Sequence, residues 1–193
     1  MDFLKLIVDR TDDINKPFIL KGDTSVSLAD VINSPSADID KIPESSVVAL
    51  IGDFDPKTIK ILINLIDRNM TVVPLTTDTR SLHEYYFENA NVSHVIEDGA
   101  IKLIEVNKVS PLQIKLKDER KPGLVLFSTG TTGSPKAILH DFSVFLNRYK
   151  QKKKKPLKTL NFLLFDHVGG INTLFHTIFN NGEIVIPEER TPS

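Results

Sequence analysis

The sequence predicts an α/β protein with mostly parallel β-sheets and flanking helices. The uninterrupted apolar run Val47–Ile51 has the composition of a parallel strand that is buried on both faces, and Thr71–Leu75 is predicted to be the next strand. Between them, Asp55 and Pro56 are residue types that cap a helix and occupy its first position, and the apolar residues that follow recur at helical spacing. A strand, a helix and a second strand in this order predict a parallel pair with a right-handed crossover.

The composition limits the classes of function. The 193 residues are 40% hydrophobic, so the chain can bury a substantial core as one domain or two small subdomains. The 24 Lys and Arg against 25 Asp and Glu give a net charge of -1, which predicts neither a nucleic-acid partner nor an anionic membrane surface. The absence of cysteine excludes disulfides and thiolate chemistry. Without an apolar span of membrane length, a cytoplasmic location is expected.

The first elements are short. Pro17–Lys21 has the pattern of a strand, and Gly22-Asp23 that of a turn. A short helix is expected from about Ser27, and the polar segment Asn33–Asp40 predicts a loop.

The alternation of strands and helices continues beyond the second apolar run. Ser81 and Glu84 have the spacing of a capping box, and a strand follows at Val92–Ile96. The helix between them has an apolar side formed by Leu82, Tyr85 and Tyr86. This β-α-β-α-β order predicts one parallel sheet.

The segment Gly99–Pro122 does not fit this alternation. Ile101–Val106 and Leu112–Leu116 are predicted to be short strands, and Lys115–Lys121 a charged linker. An internal division of the chain is expected near residues 99–122.

The stretch from Leu124 to His140 is the most informative about function. The apolar run Leu124–Phe127 predicts a strand, and the segment S-T-G-T-T-G-S-P-K follows it, ending at Lys136. Its glycines allow positive φ and close backbone approach, its hydroxyls can contact phosphate oxygens or a metal, and Lys136 adds a positive charge. The loop is therefore predicted to bind a polyanion.

Two better-known phosphate loops do not match this stretch. The pattern G-x-x-x-x-G-K-[ST] requires glycine before the lysine, where Pro135 stands. The pattern G-x-G-x-x-G requires glycine at the position of Ser128.

The remainder of the chain continues the α/β pattern. His140 and Asp141 are predicted to be a strand end and a helix cap. A strand is expected at Leu160–Phe165, then a helix whose apolar stripe begins at Ile171, and a final strand at Ile184–Ile186.

The stretch S-T-G-T-T-G-S-P-K-A closely resembles the phosphate-binding signature of the adenylate-forming superfamily, which includes acyl-CoA synthetases, luciferases and the adenylation domains of peptide synthetases. Residues 47–75 resemble the family's early strand, helix and strand, and residues 92–97 its next strand. The motif F-D-H-V-G-G is similar to the family motif that follows the loop. An ordinary surface turn is the alternative, but the whole stretch and both apolar flanks agree with the family. The resemblance implies the N-terminal subdomain of the adenylate-forming enzyme fold.

The resemblance also implies roles for individual residues. The phosphate-binding residues would be Ser128, Thr129, Gly130, Thr131, Thr132, Gly133 and Lys136. Thr131 or Thr132 would lie near Mg²⁺. Lys136 and His167 would be catalytic, with His167 beside the substrate carboxylate. A packed or pocket-wall histidine is the alternative for His167.

The implied reaction suits these residue types. A carboxylate that attacks the α-phosphorus of ATP displaces pyrophosphate, so the enzyme has to hold a polyanionic leaving group and keep the nucleophile in line. Loop amides, hydroxyls, Lys136 and Mg²⁺ can do this without a covalent protein intermediate. The expected cofactors are ATP and Mg²⁺, the substrate is a small-molecule carboxylic acid, and the final acceptor is CoA or a carrier thiol.

The sequence differs from the family at the exit of the loop and in the later motifs. Ala137 stands where the family usually has glycine. The family's adenine-contacting aromatic segment, ribose-binding Asp, hinge and C-terminal domain with the adenylation lysine are not found in residues 1–193. The expectation is an N-terminal fragment of an AMP-binding domain that is inactive without the C-terminal domain of the same enzyme.

Two alternatives remain open at this point. A non-catalytic module could bind ATP, pyrophosphate or a partner chain through the same loop. A structural or nucleic-acid-binding use of Lys150–Lys155 is less favoured, because the lysines lack interleaved aromatic residues and the chain is not basic.

Overall fold

The structure is a computed structural model that describes residues 3–34, 38–105, 108, 110–128, 133–150 and 155–188. The helices are α1 (Phe3–Arg10), α2 (Leu28–Asn33), α3 (Pro56–Asp67), α4 (His83–Ala90), α5 (Pro111–Asp118), α6 (Phe142–Lys150) and α7 (Val168–Phe179). The strands are β1 (Pro17–Lys21), β2 (Thr24–Ser27), β3 (Val47–Ile51), β4 (Thr71–Leu75), β5 (His94–Glu97), β6 (Ala100–Leu103), β7 (Gly123–Ser128), β8 (Lys136–Asp141), β9 (Lys158–Leu160) and β10 (Glu183–Val185). Two short 3-10 helices lie at Ile39–Lys41 and Thr77–Leu82.

The strands form two mixed but mostly parallel sheets. The larger sheet has the order β6-β5-β3-β4-β7-β8, with parallel pairs in its centre and antiparallel pairs at both edges. The smaller sheet has the order β2-β1-β10-β9, with only the β1–β2 pair antiparallel. The predicted α/β class with parallel sheets and flanking helices is confirmed.

The central strand β3 separates two apolar cores. All five of its residues are buried, as predicted for a parallel strand covered on both faces. Val48 and Leu50 belong to a core that also contains Ile19 of β1 and Ile184 of β10, so this core joins the two sheets. The alternate residues of β3 pack in a second core with Tyr86 of α4.

Helix α3 belongs to the core that joins the sheets. Asp55 caps it by accepting hydrogen bonds from the Thr58 backbone N–H (3.0 Å) and hydroxyl (2.6 Å), and Pro56 begins it, as predicted. Its buried residues are Thr58, Ile59, Ile61, Leu62, Ile63, Leu65 and Ile66. A helix that is apolar around most of its circumference is stable only when it is covered on several sides.

Two predicted strands are wrong in whole or in part. Leu112–Leu116 lies in helix α5, which begins at Pro111 and is stabilised where Gln113 accepts a hydrogen bond from the Ser110 backbone N–H (3.3 Å). The strand expected at Leu160–Phe165 corresponds to β9, which ends at Leu160. After β9 the chain leaves the sheet, and Phe165 is buried and packs edge-on against Phe54.

The predicted capping box at Ser81 and Glu84 is also wrong. Ser81 lies inside the 3-10 helix, and α4 begins at His83 without a side-chain cap at Leu82. The buried side of α4 is His83, Tyr86 and Ala90.

Several short elements differ from the expectation in extent. The apolar run at the start of the chain forms α1, and β2 pairs with β1 ahead of the predicted helix α2, which Ser27 caps. The loop expected from Asn33 begins after that residue, and residues 35–37 lie outside the described residues. Among the residues that the structure describes, no helix is long and apolar enough to cross a membrane.

Candidate active site

The predicted phosphate loop connects two antiparallel strands. Strand β7 ends at Ser128 and β8 begins at Lys136, and these two residues are paired across the hairpin. Because β7 is parallel to β4, Ser128 lies at the carboxyl edge of the parallel strands, where α/β sheets usually bind ligands. Ser128 is half-buried and Lys136 is exposed, so both ends of the loop reach the surface.

The structure describes only part of this loop. Thr129, Gly130, Thr131 and Thr132 lie outside the described residues, so their predicted roles remain predictions. Gly133 has φ of 150°, a conformation that residues with a Cβ rarely adopt. Among the described residues other than its chain neighbours, none has an atom within 4 Å of the position that a Cβ would occupy there. The loop backbone at Gly133 is therefore open to a ligand.

Helix α4 packs against the hairpin. The Tyr85 hydroxyl donates a hydrogen bond to the carbonyl oxygen of Pro135 at 2.8 Å. The ring of Tyr86 stacks on Phe127, with ring centroids 4.0 Å apart and an angle of 28° between the planes. Phe127 directly precedes Ser128, the last residue of β7. Helix α4 therefore contacts the hairpin close to the start of the loop.

A cavity of about 360 Å³ lies beside the end of β7. Its walls come from β4, the 3-10 helix, α4, β7 and the segment between β9 and α7. The lining residues are Pro74, Leu75, Thr79, Tyr86, Phe127, Phe162, Leu163, Leu164, Asp166 and His167. Most of this lining is apolar. The titratable side chains of Asp166 and His167 belong to it and lie at the N-terminal end of α7.

Asp166 is a site residue whose role sequence analysis missed. Burial raises the pKa of its carboxyl group, while a hydrogen bond of 3.3 Å from the Thr76 hydroxyl acts in the opposite direction. Thr76 is itself buried, and its carbonyl oxygen lies 2.9 Å from Nε2 of the buried His83. The available sequence signal was a carboxylate that directly follows an apolar run.

His167 caps helix α7. Its Nδ1 accepts a hydrogen bond of 3.0 Å from the Gly169 backbone N–H, so the neutral imidazole carries its proton on Nε2. The side chain is exposed and lines the cavity. His167 thus lies at a pocket and also caps α7. Its Nε2–H can still donate a hydrogen bond.

The glycines of the F-D-H-V-G-G motif allow tight packing behind this site. A Cβ on Gly170 would lie 2.4 Å from the Leu164 carbonyl oxygen and 2.9 Å from Cζ of Phe54. Phe54 also contacts Phe165 edge-on, with ring centroids 5.4 Å apart. These contacts hold the chain on both sides of Asp166.

The part of the chain that the structure describes contains no group of three or more His, Cys, Asp or Glu side chains placed to hold a metal ion. Mg²⁺ is usually held by one or two protein ligands together with substrate phosphates and water, so a magnesium site does not need such a group.

His140 and Asp141 are the last two residues of β8, close to the predicted strand end and helix cap. His140 pairs with Leu124 in the backbone ladder between β7 and β8. Asp141 accepts a hydrogen bond of 3.0 Å from the Ser143 backbone N–H, at the start of α6.

Comparison with protein-family profiles and with curated protein sequences finds no match. Solved structures with a similar fold are found. The N-terminal subdomain of NpsA from Klebsiella oxytoca, in complex with anthranilyl-AMSN, is 14% identical with a TM-score of 0.70, over 100% of this chain and 55% of that one. The N-terminal domain of FACL13 from Mycobacterium tuberculosis, solved with an inhibitor, is 13% identical with a TM-score of 0.67, over 95% and 56%.

A third similar structure is that of a CoA synthetase. The o-succinylbenzoate CoA synthetase MenE from Bacillus subtilis, in complex with the acyl-adenylate intermediate OSB-AMP, is 13% identical with a TM-score of 0.65, over 100% of this chain and 44% of that one. The chain spans about half the length of these solved proteins. It has the fold of the N-terminal subdomains of adenylate-forming enzymes, as the sequence resemblance implied.

Proposed function

We propose that this chain forms the N-terminal part of the AMP-binding domain of an AMP-forming acid ligase, which converts a carboxylic acid and ATP to an acyl-adenylate. The observation that carries the proposal is that the hairpin loop and the cavity adjoin the same end of β7. Phe127 lines the cavity, and the loop begins at the next residue, Ser128. A phosphate group on the loop and an acid in the cavity would thus be neighbours.

The loop suits the phosphates of ATP. The exposed Lys136 side chain can approach pyrophosphate oxygens, and the open backbone at Gly133 allows a phosphate to approach closely. Ser128 and the loop residues Thr129, Gly130, Thr131 and Thr132 complete the proposed phosphate site. Mg²⁺, which we place near Thr131 or Thr132, would neutralise part of the charge on the leaving pyrophosphate when bound.

The cavity suits the carboxylic acid. Its apolar walls would hold the body of the acid, while Nε2–H of His167 would donate a hydrogen bond to one carboxylate oxygen. The other carboxylate oxygen would attack the α-phosphorus of ATP, and the bond from that phosphorus to the pyrophosphate oxygen would break. The electron pair leaves with pyrophosphate, whose charge Lys136 helps to stabilise. No covalent bond to the protein is required.

The remaining steps need groups outside residues 1–193. The similar solved proteins are about twice as long, and we propose that further polypeptide supplies the adenosine site, the adenylation lysine and the C-terminal domain. We expect the chain by itself to be inactive, the second substrate of the whole enzyme to be CoA or a carrier thiol, and the enzyme to be cytoplasmic. Acyl-CoA formation is the overall reaction that we propose, with transfer to a carrier thiol as the alternative.

ATP–pyrophosphate exchange tests this function. The protein that contains residues 1–193 together with the downstream polypeptide is assayed with a panel of carboxylic acids, beside the same protein without acid. Exchange that depends on one class of acid supports the ligase. Pyrophosphate binding without acid-dependent exchange would instead support the alternative, a non-catalytic phosphate-binding module.

A further inference from the structure

Helix α4 contacts the loop and the cavity through neighbouring side chains. The Tyr85 hydroxyl donates its hydrogen bond to the Pro135 carbonyl oxygen, whereas Tyr86 stacks on Phe127 and lines the cavity. Pro135 directly precedes Lys136. The Tyr85 bond therefore fixes the piece of backbone from which the Lys136 side chain extends.

This bond lies just outside the paired part of the hairpin. The β7–β8 ladder runs from the Gly123–Asp141 pair to the Ser128–Lys136 pair, so Pro135 is on the loop side of the last pair. Two residues further into the loop, no described residue beyond the chain neighbours of Gly133 comes within 4 Å of its Cβ position. The backbone thus passes from a position held against α4 to open surroundings within two residues. The Tyr85 bond is therefore a contact that holds the backbone next to the last pair of the ladder.

The effect of the Tyr85 hydroxyl can be tested separately from that of its ring. The ring packs against Tyr86 with centroids 6.1 Å apart, and a phenylalanine at this position would keep that contact. Only the bond between residues 85 and 135 would be lost. Since the two residues are fifty positions apart in sequence, the bond is a tertiary contact and not part of a local turn.

We propose that Tyr85 is a positioning residue for the phosphate loop: its hydroxyl holds the loop exit against α4 in the orientation that presents Lys136 to pyrophosphate. The choice of pyrophosphate as the ligand rests on the proposed function. The anchoring of the loop by Tyr85 does not, and the two parts can be tested separately.

The test compares Tyr85→Phe with wild-type protein by amide hydrogen exchange over residues 128–136 and by NMR titration with inorganic pyrophosphate. A net hydrogen bond corresponds to an equilibrium shift of roughly two- to tenfold, so exchange in this segment should accelerate by about that factor and pyrophosphate affinity should fall similarly. Tyr149→Phe is the matched control, because it removes a hydroxyl that is hydrogen-bonded to Asn172 Oδ1 at 2.6 Å. It should leave both readouts unchanged.

The outcomes separate this inference from the proposed function. Unchanged exchange over residues 128–136 in Tyr85→Phe would overturn it. Faster exchange with unchanged pyrophosphate affinity would also overturn it, because the bond would then hold the backbone without positioning Lys136. If wild-type protein bound no pyrophosphate, the proposed function and the positioning of Lys136 for this ligand would both fail, while the exchange data would still decide whether Tyr85 anchors the loop. In the longer, active protein, the KM for ATP should rise with the KM for the acid unchanged.

Discussion

The Thr76 hydroxyl donates a hydrogen bond to Asp166 Oδ2 at 3.3 Å, although the two residues are ninety positions apart in sequence. This bond joins the end of β4 to the segment that leads into α7. Asp166 lines the cavity, and Thr76 directly follows Leu75, which also lines it. Burial nevertheless raises the pKa of the Asp166 carboxyl above its ordinary value of 3.8. One hydrogen bond therefore only partly offsets the cost of burying this charge.

We expect Asp166→Asn to stabilise the fold at neutral pH. Because the pKa of Asp166 is higher in the folded than in the unfolded chain, the native carboxyl contributes most to stability at low pH, and that contribution is lost as the pH rises through the folded-state pKa. Asparagine carries no charge and can still accept the Thr76 hydrogen bond. Thermal unfolding from pH 3 to 8 should show a higher Tm for the variant at neutral pH and a difference that shrinks toward acid.

Thr76→Val provides the complementary measurement. It removes the hydroxyl with little change in shape, so the pKa of Asp166, followed by NMR, should rise further than in wild-type protein. A variant Asp166→Asn that is less stable than wild-type protein at neutral pH would show that the charged carboxyl has a stabilising partner at this site.

The contacts around Asp166 also show what the sequence could not predict. The parallel strands, α3 and the hairpin loop follow from local patterns, namely continuous apolar runs, a capped helical stripe and a glycine-rich segment. The Thr76–Asp166 and Tyr85–Pro135 bonds depend on which elements the fold brings together, and no local pattern marks them. The strand predicted at Leu112–Leu116 was wrong for a related reason. Its short apolar spacing fits a strand or a helix, and the hydrogen bond between Ser110 and Gln113 stabilises the helix.

Lys136→Ala should weaken adenylation and leave the fold intact. The side chain is exposed at the start of an edge strand, so it contributes little to packing, whereas a charge-assisted contact to pyrophosphate should be worth tenfold or more, about 1.5–3 kcal/mol. ATP–pyrophosphate exchange by the longer protein is the measurement. Lys102→Ala, on β6 at the opposite edge of the sheet, is the control and should behave as wild-type protein. Unchanged exchange kinetics in Lys136→Ala would remove this lysine from the mechanism.

His167 requires a variant that separates its two roles. His167→Ala loses both the cap on α7, worth about 1 kcal/mol, and the Nε2–H donor. His167→Asn keeps a capping residue but cannot place a donor where Nε2 is, so it should fold with near-native stability and still impair adenylation more than ATP binding. Steady-state kinetics with varied acid and varied ATP distinguish these effects. Loss of ATP affinity with normal dependence on acid would show that His167 does not adjoin the carboxylate.

Gly170→Ala should destabilise the fold, although alanine is the better helix former. The added methyl group would lie 2.4 Å from the Leu164 carbonyl oxygen, which is backbone and cannot move aside cheaply. We expect a loss of about 1–3 kcal/mol in the free energy of unfolding, measured by urea denaturation. Gly169→Ala is a useful comparison, because its added methyl group would meet mainly the end of the Leu163 side chain, and it should cost less. Equal stability of Gly170→Ala and wild-type protein would mean that the Leu164 segment does not pack as described.

Residues 1–193 alone should bind phosphates weakly and catalyse no reaction. In the proposed site the loop would supply Lys136 and an open backbone for phosphates, and we assign the groups that hold adenine, ribose and the α-phosphate to further polypeptide. A few contacts must then offset the lost freedom of the ligand without an enclosing pocket, so pyrophosphate and triphosphates should bind weakly, with Kd about 1 mM. ATP and GTP should bind alike, because the base has no partner, and acid-dependent pyrophosphate release should be undetectable. NMR titration with ATP, GTP and pyrophosphate, together with a pyrophosphate-release assay, measures each of these quantities. Micromolar binding that is selective for ATP, or any acid-dependent turnover, would mean that residues 1–193 contain a complete nucleotide site, and that the loop and the cavity beside β7 are only part of it.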